Sequence, residues 1–394
     1  MLQSRQSPDQ SETFRTLAPD APVKAEISGG QSHVWRINLS AGDYLRLKIT
    51  RKTSKLAASL FAPNSTGTES ERKPLLSTTD KNTIFEHDSK LRLMATFSLI
   101  AEVSGTYRLE TSLLDEKLGP IQYEVKIEAL RPAGPNDELR VAAEKAELEG
   151  DLLVGANATL EGRLSRMAKY ETSLALWRKL GDRKNELKLL NMLGALYRQL
   201  GEIQTTLKYQ TEAIRIARDL GDRYQEANLT LAFGHIQRSL GYMQKALDAY
   251  QRARDIFASL SARLGVAIAT ENIGGIYLSV GEPRQALDHY DKALPVYLSV
   301  GEPFGQSNAL NSMGVAHLRL GETQKAIELY MRALENARIR KLRSPLEASI
   351  LGNLGGAHLA LGDKSKAADY FNQELALCRR TGARACMAAA LNDL

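Results

Sequence analysis

The sequence has few of the residues and motifs that support catalysis. Its 394 residues include two cysteines, Cys378 and Cys386, whose spacing fits neither a zinc knuckle nor a CxxC redox pair, so we expect both to be packing residues. The sequence contains no GxSxG, HExxH or phosphate-binding GxxxxGKS/T motif, and no GxGxxG motif after a strand. These absences predict a protein without enzymatic activity, cofactor or metal ion, for which a small-molecule substrate is not expected.

Long apolar runs are also lacking. The most apolar stretch, from Leu91 to Val103, contains Arg92 and Glu102 and falls short of the roughly 20 residues that a membrane-spanning helix needs. The N-terminus has no apolar signal segment, which predicts a cytoplasmic protein, or a secreted or periplasmic one if the true start lies upstream. The net charge of +6 is not concentrated in a basic stripe, so no nucleic-acid partner is expected.

Two regions of the chain differ in their apolar periodicity. Between residues 21 and 130 the apolar residues recur at every second position, as in HVWRINL, YLRLKI, GTYRLE and QYEVKIE. Glycine, proline, asparagine and aspartate turn signals separate these runs. The pattern predicts an antiparallel β-sandwich over residues 21–130, preceded by a disordered N-terminus at residues 1–20.

The segment RPAGPN at residues 131–136 contains two prolines and a glycine, which predicts a linker. Beyond it, five segments of the type NMLGALYRQLG align without gaps, and their first glycines are spaced by 40, 40, 40 and 41 residues. We expect the second glycine of each segment to end a helix in the left-handed conformation. The first glycines are Gly194, Gly234, Gly274, Gly314 and Gly355, and the second are Gly201, Gly241, Gly281, Gly321 and Gly362.

This period predicts an all-α solenoid of helix pairs. We assign five repeats to residues 182–382 and a weaker leading repeat to residues 137–181. Residues 383–394 are expected to start a further, truncated repeat, whose glycine would fall at position 395. Four of the five repeats also have an alanine and an aromatic slot, the latter held by Tyr250, Tyr290, Tyr330 and Phe371, whereas the first repeat has Thr206 and Gln210 there. We expect the first glycine and the alanine to lie where two helices cross closely.

The order of glycine, aromatic and alanine positions resembles the tetratricopeptide repeat, in the longer 40-residue form of kinesin light chain. The resemblance implies a concave groove that binds a peptide or partner protein. Asparagines in that groove would hydrogen-bond an extended peptide backbone, or they are simply solvated groove residues. The lysine and asparagine of the family's carboxylate clamp are present, but the rest of that set is missing. The groove candidates are Lys188, Asn191, Arg198, Asn228, Arg238, Glu271, Asn272, Asn308, Asn311, Arg319 and Asn353.

Three histidines need separate interpretation. His317 and His358 occupy a slot that Tyr197 and Tyr277 hold in other repeats, so they are predicted to pack between helices. His235 directly follows its repeat glycine, on the face that the resemblance turns toward the groove. Its role is left open between ligand binding and solvation.

The arrangement of the whole chain is similar to the front part of bacterial CHAT-domain proteins, which pair such repeats with a caspase-like cysteine protease. The segments GGQSHVWRINLSAGDYLRLKI and SGTYRLE carry this resemblance, and they are also similar to bacterial pre-peptidase C-terminal domains. None of the histidines or cysteines matches the protease dyad. Two hypotheses follow: an interaction scaffold, or the recognition half of a protease whose catalytic domain lies beyond this chain.

Overall fold

The computed structural model describes residues 14–19, 21–51, 56–63, 75–77, 86–87, 93–113, 115, 117, 119–153, 159–339 and 345–393. The chain divides into two compact units, one ending at Glu202 and the other beginning at Ile203. The first unit contains the strands and the first three helices. The second unit consists of helices.

The strands form two five-stranded sheets, ordered β1-β3-β9-β5-β6 and β2-β10-β4-β8-β7. All strand pairs are antiparallel among the described residues, except that β1 runs parallel to β3. Strand β1 falls within the segment predicted as disordered, so that prediction is wrong for its residues. The strands are β1 Phe14–Thr16, β2 Val23–Ile27, β3 Ser32–Leu39, β4 Asp43–Arg51, β5 Leu56–Phe61, β6 Leu76–Ser77, β7 Glu86–His87, β8 Leu93–Ile100, β9 Gly105–Leu113 and β10 Ile121–Pro132.

Alternate side chains of both sheets enter one hydrophobic core. Trp35, Ile37 and Leu39 of β3 are buried there, whereas Arg36 and Asn38 between them are exposed. Burying one side chain of this size contributes about 1.5–3 kcal/mol, so the period-2 pattern itself orients each strand. The predicted fold class, antiparallel-rich β structure followed by an all-α repeat region, is confirmed.

Within each unit, consecutive helices pack against each other, and none in the described part of the chain is long and apolar enough to cross a membrane. The first unit holds α1 Pro135–Leu152, α2 Leu160–Leu180 and α3 Arg183–Gln199. The second unit holds α4 Ile203–Asp219, α5 Arg223–Ser239, α6 Met243–Ser259, α7 Arg263–Ser279, α8 Pro283–Val300, α9 Pro303–Arg319, α10 Thr323–Ile339, α11 Pro345–Ala360, α12 Lys364–Thr381 and α13 Arg384–Asp393. We call α3, α5, α7, α9 and α11, which carry the first glycines, the A helices; α4, α6, α8, α10 and α12 are the B helices.

In the repeats that have an aromatic residue in the B helix slot, the first glycine packs against that ring. A Cβ atom at Gly234, Gly314 or Gly355 would lie less than 3 Å from the ring sixteen residues later. The sequence predicts close helix crossing at the glycine and the later alanine, but the ring is the nearest obstacle. At Gly274 a backbone atom is also close, because the Ala286 oxygen would lie 3.1 Å from the added Cβ.

The second glycines end the A helices as predicted, all with φ between 78° and 87°. Glycines also end several B helices in this conformation, at Gly221, Gly301 and Gly382. The corresponding position between α6 and α7 holds Ser261, with φ 54°, the one positive-φ residue other than glycine in the described chain. An L-residue pays about 1–2 kcal/mol in this region, so Ser261 is a local weak point.

Adjacent glycines in α11 provide a test of the ring contact. Gly355→Ala would drive its methyl group into Phe371, whereas a Cβ at Gly356 has nothing within 4 Å. We expect Gly355→Ala to lower the free energy of unfolding by about 1–3 kcal/mol. We expect Gly356→Ala to raise it by about 0.5–1 kcal/mol through helix propensity. Urea unfolding followed by circular dichroism measures both, and equal effects would contradict the contact.

Ser261→Gly should relieve the left-handed strain and raise the free energy of unfolding by up to about 1 kcal/mol, after allowing for the extra unfolded-state entropy of glycine. Ser259→Gly, two residues earlier in the last turn of α6, is the control and should lower it by about 0.5–1 kcal/mol. The prediction fails if both substitutions shift the urea midpoint downward.

Candidate functional site

The A helices of the second unit are linked to one another along one face by side chains. Asn308 of α9 donates from Nδ2 to Glu271 Oε1 of α7 at 2.6 Å. Asn353 of α11 donates to Asn311 Oδ1 of α9 at 2.8 Å. The bonded residues are 37 and 42 positions apart in sequence, so these candidates on α7, α9 and α11 lie on one face. We call this face the A-helix groove, after the groove that the tetratricopeptide resemblance implies there.

Glu271 is the centre of a buried network in this groove. Its side chain accepts hydrogen bonds from the Tyr297 hydroxyl at 2.5 Å and from Asn308, and only 8% of the residue is exposed. Burial raises the pKa of the Glu271 carboxyl, and the hydrogen bonds from Tyr297 and Asn308 partly oppose that rise. A carboxylate held by two internal donors is a structural tie between α7, α8 and α9 rather than a group turned toward a ligand.

The groove asparagines have partners inside the protein. Asn311 is 8% exposed and accepts from Asn353. Asn272 donates to the Ile268 carbonyl of its own helix at 2.8 Å. The bonded amides therefore stabilise the groove, although each still offers further donors or acceptors because one amide can make several hydrogen bonds. Asn228, on α5, is half-buried.

Two exposed arginines reach α7 from the neighbouring A helices. A Cβ atom at Gly275 would lie 3.2 Å from Arg238 Nη1. The guanidinium group therefore packs against α7 where Gly275 has no side chain. From the opposite side, Arg319 donates from Nη1 to the Leu278 carbonyl. The two positions on α7 are three residues apart, about one turn. We call Arg238 and Arg319 the arginine pair.

The charges of the arginine pair affect the pKa of Tyr290 on α8. Burial raises the pKa of its hydroxyl to about 12, and the Glu271 carboxylate adds to that rise. A hydrogen bond with Ser312 and the charges of Arg238 and Arg319 lower the pKa in opposition. The centre of the groove thus contains two guanidinium groups, one hydroxyl pair and one buried acid.

The remaining groove candidates belong to the first unit. Lys188 forms an ion pair with Glu147 of α1, with Nζ and Oε1 2.5 Å apart. Asn191 and Arg198 of α3 are exposed. The lysine that the tetratricopeptide resemblance associates with a carboxylate clamp is therefore already in contact with an internal carboxylate.

The histidines pack as predicted. His317 and His358 are buried, and His317 Nδ1 lies 2.7 Å from Glu322 Oε2. His358 stacks on Tyr370 of α12 with ring centroids 5.5 Å apart. His235 is half-buried and contacts the Tyr250 hydroxyl at 3.0 Å through Nδ1, which makes it an internal partner of the aromatic slot.

The β region contains a polar cluster that the sequence analysis did not foresee. The Tyr123 hydroxyl contacts His33 Nδ1 and Thr111 Oγ1, each at 2.7 Å. His33 and Thr111 face each other on the paired strands β3 and β9, whereas Tyr123 comes from β10 of the other sheet. Their proximity therefore depends on how the two sheets pack, which no local motif encodes. Burial lowers the pKa of His33 and the nearby Arg15 charge lowers it further.

The two cysteines are not independent packing residues, so that expectation is wrong. Cys378 of α12 and Cys386 of α13 form a disulfide with their Cα atoms 5.6 Å apart. Together with Glu374 they are the described residues whose potential metal-ligating atoms cluster, all within 4.8 Å of one another. Tyr297 and Gly305 occupy the corresponding slots of an earlier repeat and also touch, but that contact is visible only in the structure.

Similar proteins of known structure also consist of helical repeats. The BtubC (BKLC) protein from P. vanneervenii is 18% identical, and the match covers 64% of this chain and 94% of that one with a TM-score of 0.45. A signal transduction ATPase with numerous domains from Pyrococcus horikoshii, which has a tetratricopeptide repeat sensor, is 17% identical. The match covers 66% of this chain and 40% of that one, with a TM-score of 0.48. A Podosopora anserina putative kinesin light chain is 16% identical, with coverages of 50% and 96% and a TM-score of 0.41.

The family of the helical region is decided by sequence models. This chain spans less than half of the Pyrococcus protein, and all three structural likenesses have TM-scores below 0.5, so none of them carries the assignment. Among curated proteins, none matches the sequence significantly. Two sequence models of the tetratricopeptide repeat match residues 187–220, 225–299 and 305–380. The C-terminal region of this protein therefore consists of tetratricopeptide repeats.

Proposed function

We propose that this protein is an interaction scaffold whose A-helix groove binds an extended, acidic segment of a partner protein. The observation that carries the proposal is the arginine pair, because two exposed guanidinium groups from different repeats converge on one turn of α7. Arginine binds carboxylates through charge-assisted, often bidentate hydrogen bonds. An aspartate, a glutamate or a C-terminal carboxylate would therefore meet both groups.

The charges around the pair favour an anionic ligand. Glu271, the acid on α7 among the groove candidates, is buried and accepts from Tyr297 and Asn308, and the raised pKa of its carboxyl reflects that burial. It therefore competes weakly for the exposed guanidinium groups. Asn272 and Ser312, both half-buried in the same face, can add hydrogen bonds to the backbone of an extended peptide. A non-catalytic role fits this arrangement of binding groups.

Asparagine substitutions would test this proposal poorly. Asn308→Ala would remove a donor from the buried Glu271, so it would disturb the packing of α7 against α9 as well as any ligand contact. The arginines are exposed, and reversing their charge leaves the buried network intact.

We expect peptides selected from a random library on the immobilised full-length chain to be enriched in aspartate and glutamate. A fluorescent copy of a selected peptide should bind the double variant Arg238→Glu/Arg319→Glu at least tenfold more weakly, because charge-assisted hydrogen bonds contribute about 1.5–3 kcal/mol each. Fluorescence anisotropy at two salt concentrations measures the affinity, which should fall as salt rises.

The matched control reverses two exposed arginines on B helices, Arg284→Glu/Arg332→Glu, with the same change in net charge. It should leave peptide affinity within twofold of the wild type. If both double variants weaken binding equally, the effect is one of net charge and the groove site is rejected. If neither does, the peptide binds elsewhere.

A second candidate function is the recognition half of a CHAT-type, caspase-like cysteine protease of bacterial origin. It is supported by the order of the elements, a β region followed directly by helices, as in the proteins that the sequence resembles. Only Ala133 and Gly134 separate β10 from α1. Asp137 closes this junction by accepting two hydrogen bonds from Arg131, at 2.5 and 2.9 Å, and one from the Gly134 amide. Determining the gene sequence beyond codon 394 tests this candidate, and it is excluded if neither that reading frame nor an adjacent gene encodes a His/Cys protease domain.

A further inference from the structure

We propose that Glu374, Cys378 and Cys386 form a binding site for a thiophilic divalent cation such as Zn²⁺ when the disulfide is reduced. The site clips α13 to α12 and is independent of the A-helix groove. It rests on three observations: the clustering of the three ligand groups, the repeat positions that they occupy, and the space that Gly352 leaves for the carboxylate.

The two cysteines occupy a pair of slots whose residues also touch at two earlier boundaries between repeats. Between α6 and α7 the pair is Phe257 and Gly265, where a Cβ on the glycine would lie 2.5 Å from the ring. Between α8 and α9 it is Tyr297 and Gly305, with a corresponding distance of 2.6 Å. A large residue thus faces a glycine in those pairs, whereas two medium-sized cysteines share the space between α12 and α13.

Glu374 is out of place as a packing residue. It occupies the slot in which Ala253, Ala293 and Ala333 are fully buried, yet it is itself only 6% exposed. Gly352 of α11 makes room for it, because a Cβ there would lie 2.9 Å from Glu374 Oε2. Glu374 also precedes Cys378 by four residues, which places both side chains on the same helix face.

The donor set matches the preferences of zinc. Two thiolates and one carboxylate provide three protein ligands, and water completes a tetrahedron. Thiolates select Zn²⁺ over Mg²⁺ and Ca²⁺, which prefer all-oxygen sites. With Zn–S bonds of about 2.3 Å, the two sulfur atoms would move to about 3.8 Å apart, still within the present spread of the three ligand atoms.

The disulfide form is converted to the zinc-bound form by reduction followed by metal binding. A dithiol reductant transfers two electrons and two protons to the Cys378–Cys386 disulfide, which gives two thiols and leaves the reductant as a disulfide. Zn²⁺ then displaces the two thiol protons and binds both thiolates and the Glu374 carboxylate. The clip is therefore covalent under oxidising conditions and metal-mediated under reducing ones.

The experiment uses the full chain, reduced with a dithiol, desalted without oxygen and titrated with Zn²⁺ or Co²⁺. We expect one ion per reduced chain, with the thiolate-to-Co²⁺ charge-transfer absorption of a tetrahedral site, and none per oxidised chain. In the wild type, Zn²⁺ should slow alkylation of Cys378 and Cys386 at least tenfold. Peptide mass mapping identifies the alkylated residue, so this readout needs no substitution.

Glu374→Gln should weaken Zn²⁺ binding at least tenfold while the oxidised protein still forms its disulfide. Glu335→Gln, an exposed glutamate of α10, is the matched control and should change neither. Cys386→Ser, at the less buried cysteine, should abolish binding with circular dichroism unchanged. The proposal is overturned if the reduced wild type takes up no ion, if Zn²⁺ does not protect the thiols, or if Glu374→Gln binds as tightly as the wild type.

Discussion

The architecture of the repeat region depends on one contact, the aromatic ring of a B helix lying against a glycine of the preceding A helix. Protein interiors are packed to near-crystalline density, so a ring that covers a bare Cα leaves no room for a methyl group. The contact recurs at Gly234, Gly314 and Gly355 and sets how closely the two helices of a repeat approach. Because each repeat contacts mainly its neighbours, the same local geometry propagates along the array.

This packing determines which residues are left for function. The ring and the alanine slot occupy the faces between the A and B helices, and another face of α9 lies beside α7 and α11, where Asn308 reaches Glu271 and Asn353 reaches Asn311. The polar side chains closest to the core therefore already hydrogen-bond to one another. Only longer side chains extend past them, and among the predicted candidates of the second unit Arg238 and Arg319 are the exposed ones.

The side chains with distinctive chemistry lie at positions where a repeat departs from the common pattern. Tyr277 stacks on His289, and two repeats further along the array His358 and Tyr370 form the same stack with the residue types exchanged. The repeat between them has His317 and Leu329 in these two slots. The same logic places two cysteines in a contact pair and a glutamate in an alanine slot beside Gly352, where the scaffold itself needs neither.

The sequence by itself determined the order of the elements, the two periodicities, the left-handed glycines and the repeat register, because each of these follows from side-chain spacing or backbone sterics within one short segment. The Asp182 and Asp222 caps, each accepting from a backbone amide three residues later, belong to the same class. Tertiary structure alone decided that Glu271 is buried and bound, that Arg238 rests over Gly275, and that Cys378 meets Cys386. These contacts depend on which side chains of different helices pack into the same space. The spacing of residues along one segment does not determine that.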